Sequence, residues 1–262
     1  MDVGVGAGAD DVDAAAAASV AVERIRQELA ALADPVRAEG GRRYLQLMPG
    51  GYGEGDDLLG VPVPDQRRIA ARHWRDLDLT GACTLLSDGM HEERLTALFV
   101  LVRRFRSGGA AARKAIFELV TGERARIDNW DLVDSVAPHV VGGWLTDPRG
   151  AADLPVLDRL AGSASVWHRR MAVVATLAFI RRGEYGPTLR LSARLLDDPH
   201  DLVHKAVGWM LREVGNRDRA VEENFLRRHH DRMPRIALRY AIEKFEPALR
   251  RRYLTGDLPA AR

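Results

Sequence analysis

Residues 129–134 read NWDLVD, with Asp128 just before them. At helical spacing Trp130 and Asp134 stand one turn apart, so their side chains are neighbours. They lie on the border of an apolar arc of Val133, Val136, Ala137, Val140, Val141 and Trp144, which predicts a helix over 129–145. A carboxylate held there can steady a positive charge developing in front of it and orient a water. It can equally cap a neighbouring helix or pair with an arginine, and the sequence leaves both readings open. Asp128 fits the N-cap, which puts Asp131 at N3 where it complements the helix dipole. Pro138 predicts a kink or an early end.

Two further segments carry residues that do not fit a plain apolar face. In HDLVHKAVGWMLREVG (200–215), Val203, Val207, Met210, Leu211 and Val214 form a core stripe. Trp209 lies opposite, in the sector of Lys205 and Arg212. That arrangement is either an amphipathic surface patch or inter-helix contact, or a stacking platform beside phosphate-binding cations. In SVWHRRMAVVATLAFIRR, which starts at Ser165, Arg170 shares a sector with Val166, Val173 and Leu177. A cation there must find an anion, and Asp134 or a DNA phosphate are the candidates. His200 and His204 are spaced i, i+4 but lack an HExxH pattern and a third ligand, so they read as surface histidines. No metal or other cofactor is expected.

The elements that must position these residues are helical throughout. Past residue 19 the chain is a succession of amphipathic segments of 10–16 residues with almost no strand-like alternation, an all-α pattern. Helices are expected to begin near His91, Asn129, Ser165, His200 and Met233, at intervals of 33–38 residues, with second members near Ala110, Ala151, Gly186 and Asp218. A two-helix unit on that period predicts a HEAT-like α-solenoid of antiparallel helix pairs, whose concave face is the usual binding surface. Residues 1–19 read as a flexible leader and 20–262 as a single repeat domain. Residues 40–64 are irregular and rich in glycine, without the Gly-Lys-Ser/Thr of a phosphate loop.

Composition narrows the partners. Of 39 basic residues only Lys114, Lys205 and Lys244 are lysines. Residues 1–60 hold 11 acidic and 5 basic side chains, net −6, and the remainder 26 and 34, net +8. A well-solvated helical surface would account for that, and so would a polyanionic partner. Cys83 is the single cysteine, which excludes a disulfide framework and a cysteine-based zinc site. No apolar run is long enough to span a bilayer. The start has four aspartates and no basic n-region, so neither a signal nor a transit peptide is expected and the reading is cytoplasmic, with nucleoid association through DNA.

NWDLVD, VWHRRMAV and HKAVGWMLRE, in that order and spacing, resemble the AlkD-like family of alkylpurine DNA glycosylases, which are built from HEAT-like repeats. The likeness runs from about Tyr44 to Lys244. It includes GVPVPDQRR (60–68), similar to the family's Gly-Val/Ile-x-x-Pro-x-x-Arg loop, and PRIALRYAIEKF (234–245). HKAVGWMLRE is the most specific piece. The resemblance implies that Asp134 is the catalytic carboxylate, and that Trp130 and Trp209 hold the lesion-bearing nucleotide through its sugar. It also implies that Arg170 meets the backbone near the lesion, and that Arg67 and Tyr44 lie near DNA. Lys205, Arg212 and Arg169 would hold flanking phosphates. Asn129 stands where family members often have another tryptophan, which would widen the site. Pro62 and Val63 replace polar residues of the loop.

The implied activity is hydrolysis of the N-glycosidic bond of cationic N3- or N7-alkylated purines in duplex DNA, a step in base excision repair. The damaged base would stay in the duplex instead of being flipped into a pocket. An alkylated purine is already a good leaving group, so a single carboxylate suffices to stabilise the sugar cation and position a water, and Asp131 need only start the helix. Some such enzymes remove methyl lesions; others remove bulky natural-product adducts in antibiotic self-resistance. The arginine-rich composition fits a GC-rich bacterium of the latter kind. The competing class is a non-catalytic HEAT-like scaffold that binds DNA or protein. The expected partner is duplex DNA, and the expected state a monomer.

Overall fold

Alanine is the best helix former, and aspartates near a helix start complement its dipole. The stretch DDVDAAAAAS meets both conditions and lies within α1 (Gly8–Ala30). The expected leader is therefore helical from Gly8 onward. The computed structural model describes residues 8–122 and 125–258, and side chains from residue 19, so the leader's first seven residues lie outside the described residues. Among the described residues there is no strand. No helix there is long and apolar enough to cross a membrane.

The chain divides into two compact units, residues 1–136 and 137–262, where the sequence suggested one. In the first, α1 is followed by α2 (Pro35–Tyr44), α3 (Val63–His73), α4 (Leu79–Asp88), α5 (His91–Ser107), α6 (Ala110–Thr121) and α7 (Trp130–Val136). Helix α5 is its centre and packs against α1, α3, α4, α6 and α7. Leu95, Leu98, Leu101, Val102 and Phe105 supply its apolar face. Its first turn is unusual, because His91, Glu92, Glu93 and Arg94 are all buried. Buried charges need partners. Glu93 takes Arg26 Nε at 3.2 Å. Glu92 accepts the backbone N–H groups of Leu59 (2.9 Å), Gly60 (2.7 Å) and Val61 (3.2 Å). Gly60 has φ +81°, and a Cβ there would lie 2.1 Å from the Asp34 carbonyl oxygen, so the loop closes only with glycine.

The second unit begins with a π-helical turn, Ala137–Val141, and continues through α8 (Gly142–Leu145), a 3₁₀ turn at Pro148–Asp153, α9 (Val156–Ala161), α10 (Val166–Ala175) and α11 (Leu177–Ile180). There follow α12 (Gly186–Arg194), α13 (Asp201–Gly215), α14 (Arg219–His229), α15 (Arg235–Ala241) and α16 (Pro247–Thr255). The helix expected over 129–145 thus runs from Trp130 to Leu145, and widens into the π turn where Pro138 was expected to disturb it. In a regular helix its ring would strike the carbonyl four residues back, and the wider turn relieves that clash. Helix α13 is the centre of this unit and packs on α10, α12, α14 and α15. Its predicted stripe, Val203, Val207, Met210, Leu211 and Val214, is fully buried.

Candidate active site

The site builds from the start of α7. Asn129, not Asp128, is the residue before the helix: its Oδ1 accepts Trp130 N–H at 2.8 Å, and its carbonyl receives Val133 N–H at 3.1 Å. Asp128 is drawn away by Arg94 and Arg126. The cap therefore falls one residue later than the sequence suggested, and Asp131 is the second helical residue. Asn129 is outside the lining of the recess described below. It is fully buried, and its Nδ2 donates to the Leu45 carbonyl at 3.1 Å, tying the turn after α2 to α7.

Trp130, half-buried, meets Tyr44 edge-to-face, with ring centroids 5.2 Å apart and planes at 85°. Tyr44 ends α2 and is 69% exposed. Asp134, one turn on, opens with both aromatics onto a recess of about 580 Å³. Leu58, Val61, Pro62, Val63, Leu95 and Phe99 form much of its wall. Arg67 stands at this recess with its guanidinium over the Phe99 ring, 5.0 Å from the centroid. Tyr44, Arg67, Trp130 and Asp134, named separately from the sequence, thus converge within the first unit.

In and behind the wall of the recess, where His91 and Asp131 belong to its lining, lies a group of residues that sequence reasoning missed. His91 Nδ1 is 2.8 Å from Asp56 Oδ2, and His91 Nε2 is 2.7 Å from Asp131 Oδ2. Burial opposes a charge on this ring, but hydrogen bonds and charges from Asp131 and Asp56 prevail, and its pKa is pushed up to about 9. Asp56 is held below the usual carboxylate range: burial works against this, and His91 and Arg94 outweigh it. Arg94, fully buried, pairs with both Asp56 and Asp128 and donates to the Arg126 carbonyl at 3.1 Å. The only available signal was the run HEER at a helix start, since Asp56 sits in the Gly-rich stretch where no pattern marks it. Among the described residues, no group of three or more His, Cys, Asp or Glu side chains is placed to hold a metal ion.

In the second unit α13 carries Lys205, Trp209 and Arg212 on its unburied side, all three half-buried. Arg212 ion-pairs with Glu243, so its charge is partly neutralised within the fold. His200 caps the helix, its ring nitrogen accepting Leu202 N–H at 3.1 Å. His204 is buried, not a surface residue, because it turns onto the core side one turn later. Arg170 is also buried, and its Nη1 donates to the Leu202 carbonyl at 2.5 Å. Arg169 is half-buried and engaged within the fold. Its Nε and Nη2 hold Asp198 at 2.5 and 3.2 Å, and Nη1 donates to the carbonyls of Ser163 (3.0 Å) and Ala164 (2.7 Å). A guanidinium engaged by a buried carboxylate and two carbonyls clasps two turns together and has little left for a phosphate.

The sequence profile of the family described as DNA alkylation repair enzyme matches residues 25–245. The chain belongs to that family. Among solved structures it is similar in fold to a predicted DNA alkylation repair enzyme from Enterococcus faecalis, with a TM-score of 0.64 and 16% identity over 82% of this chain and 97% of that one. A protein of Streptococcus mutans UA159, smu.31, aligns with a TM-score of 0.47 and 17% identity over 63% of this chain and 83% of that one. No curated protein matches. Membership covers the whole path from α1 to the end of PRIALRYAIEKF, and so takes in both the recess of the first unit and α13 of the second.

Proposed function

We propose that this DNA alkylation repair family member is a DNA glycosylase that hydrolyses the N-glycosidic bond of cationic N3- or N7-alkylated purines in duplex DNA. The observation that carries the reading is the convergence of Asp134, Trp130 and Tyr44 on one open recess. In the reaction the C1′–N bond breaks with its electron pair going to the base, which neutralises the alkylpurine charge. A positive charge is left on the sugar. Asp134 faces that charge, and the indole and phenol faces attract its C–H bonds. A water adds to C1′ and passes its proton to Asp134.

The electrostatics suit this assignment. A carboxylate on a DNA-binding surface is repelled by phosphates and lowers affinity unless a positive charge develops beside it. Arg67 is proposed to meet the backbone near the recess. Trp209, Lys205 and Arg170 on the second unit are proposed as contacts to sugar and phosphate of the duplex, with Arg212 contributing less because Glu243 already holds it. A site that leaves the base in the duplex does not have to enclose its alkyl group, which supports acceptance of bulky adducts and a role in self-resistance.

The test is single-turnover excision from duplexes carrying 7-methylguanine or a bulky N3-alkyladenine, with Asp134→Asn alongside. The expected result is release of both bases by the wild type, and a loss of at least about 100-fold in the variant with duplex affinity kept or raised. Wild-type turnover by Asp134→Asn on both duplexes would sink the catalytic assignment. Tight binding without release by the wild type would make the protein a scaffold.

A further inference from the structure

The charged group under the recess has no part in the chemistry above, yet it is the most strongly determined polar feature of the first unit. Both nitrogens of His91 face carboxylate oxygens, at 2.8 and 2.7 Å. A neutral ring has only one N–H, so one carboxylate would then meet a lone pair; imidazolium alone satisfies both. The two carboxylates stand on opposite edges of the ring, so they hold it in one orientation. Asp131 in turn is fixed from its other oxygen, Oδ1, which accepts Leu132 N–H at 2.9 Å. It lies next to Trp130 and three residues before Asp134, within a helix of seven residues.

We propose that His91 is a positioning residue for this site: as an imidazolium it clamps Asp131, and through Asp131 it sets the first turn of α7 and hence the orientation of Trp130 and Asp134. The inference rests on the glycosylase reading only for its effect on excision. Its geometry supports it independently of pKa. The His91 backbone N–H donates to the Asp57 carbonyl at 3.0 Å, so the Gly-rich stretch holds the main chain at His91 as well as its ring through Asp56. The charges facing His91 are Asp56 from that stretch, Asp131 from α7, and Arg94 from its own helix, itself paired with Asp56 and Asp128. Around the recess stand Asp134, Glu92, Arg37 and Arg67, and Glu92 is occupied by three backbone N–H groups. Loss of the His91 proton leaves one of two carboxylates without its donor, and the clamp opens. That gives the site an alkaline limit set by a ring that is almost wholly buried in the wall of the recess.

Two spectroscopic readouts on the full chain test this without requiring activity. ¹⁵N spectra of the imidazole, assigned with His91→Gln, should show two protonated nitrogens at pH 7.5 and a titration near pH 9. The ¹⁹F signal of 5-fluorotryptophan at position 130, assigned with Trp130→Phe, should move with the same midpoint, and that movement should vanish in His91→Gln. Single-turnover excision of 7-methylguanine, corrected for release without enzyme, should fall about 10–100-fold in His91→Gln at pH 7.5 with duplex affinity within about twofold. Should His91→Gln not fold, Asp56→Asn removes one charge while keeping a hydrogen-bonding side chain, and should move both midpoints to lower pH together. A neutral His91 at pH 7.5, or a Trp130 signal indifferent to its titration, would overturn the proposal. Coupled titrations in a wild type that releases no base would uphold the clamp and reject the glycosylase instead.

Discussion

Two tryptophans stand at different places on their helices, one at a helix start and one in mid-helix, and the protein fixes them by different means. Trp130 is the first residue of α7, whose seven α-helical residues lead straight into a π turn. Its start is fixed by side chains drawn from far along the chain: Asn129 to the Leu45 carbonyl, Asp131 to His91, and His91 and Arg94 to Asp56. Trp209 rides on α13, a helix of 15 residues oriented chiefly by its buried stripe, with His200 and Arg170 at its start. Here the close fit comes from absence of a side chain, since Gly208 lets α15 approach. A short helix needs a polar lattice to be placed, whereas a long one needs only a good apolar face.

The largest way to break that contrast is at Arg94. Its charge is fully buried and answers two carboxylates, so Arg94→Met leaves Asp56 with His91 alone and Asp128 with the exposed Arg126 alone. Removing one side of a buried ion pair costs about 3–5 kcal/mol, and denaturant unfolding should show a loss of that size. The methionine fills much of the volume, so a loss below about 1 kcal/mol would mean that the lattice is ornamental and α7 is placed by packing.

The same contrast explains what the sequence could reveal. Periodicity marked helix starts at His91, Ala110 and Gly186 where the structure has them, and at Asn129, Ser165, His200 and Asp218 one residue early. It also marked Val203, Val207, Met210, Leu211 and Val214 of α13, all fully buried, because burial repeats every three or four residues in one helix. Near Ala151 it pointed to a helix where a 3₁₀ turn runs from Pro148 to Asp153 and α9 starts only at Val156. The polar lattice has no such period. Asp56 and Asp131 reach His91 across 35 and 40 residues, and no local pattern announces pairs of that separation. For the same reason Asp128 looked like a cap while Arg94, 34 residues away, had already claimed it. The tryptophans and Asp134 were legible because a motif carried them; the residues that hold them were not.

A sharper test compares how the two units treat a buried acid. In the first, every carboxylate under the recess has a donor. In the second, Glu222 on α14 is 1% exposed, and its Oε1 has no hydrogen-bond partner. Burial raises its pKa to about 8, against the pull of Arg219. With a folded value above the unfolded one, the proton stabilises the fold fully below about pH 4.5 and that contribution is lost as pH rises through 8. Each pH unit inside that window is worth about 1.4 kcal/mol, so from pH 6 to 8 the wild type should lose about 2–3 kcal/mol relative to Glu222→Gln. Other titrating groups are common to both proteins and cancel in the difference. Parallel stability curves for the two proteins would show that Glu222 stays ionised, and that some donor serves it in solution.

The smallest expected effect is at Gly208, and it bears most directly on Trp209. A Cβ there would lie 2.3 Å from the Ala237 carbonyl oxygen and 2.6 Å from Tyr240 Cβ. One of these neighbours is backbone, so it cannot swing aside, and Gly208→Ala must push α15 from α13. Alanine's higher helix propensity offsets part of the strain, about 1 kcal/mol, and the net loss should be about 1–2 kcal/mol. Trp209 follows Gly208 directly, so a displaced α13 should weaken duplex affinity while the Trp130 fluorine signal keeps its wild-type titration. A change in that titration would mean that the two indoles are not fixed independently. An affinity unchanged despite the lost stability would mean that α15 yields alone, and that the apolar stripe is enough to hold α13 in place.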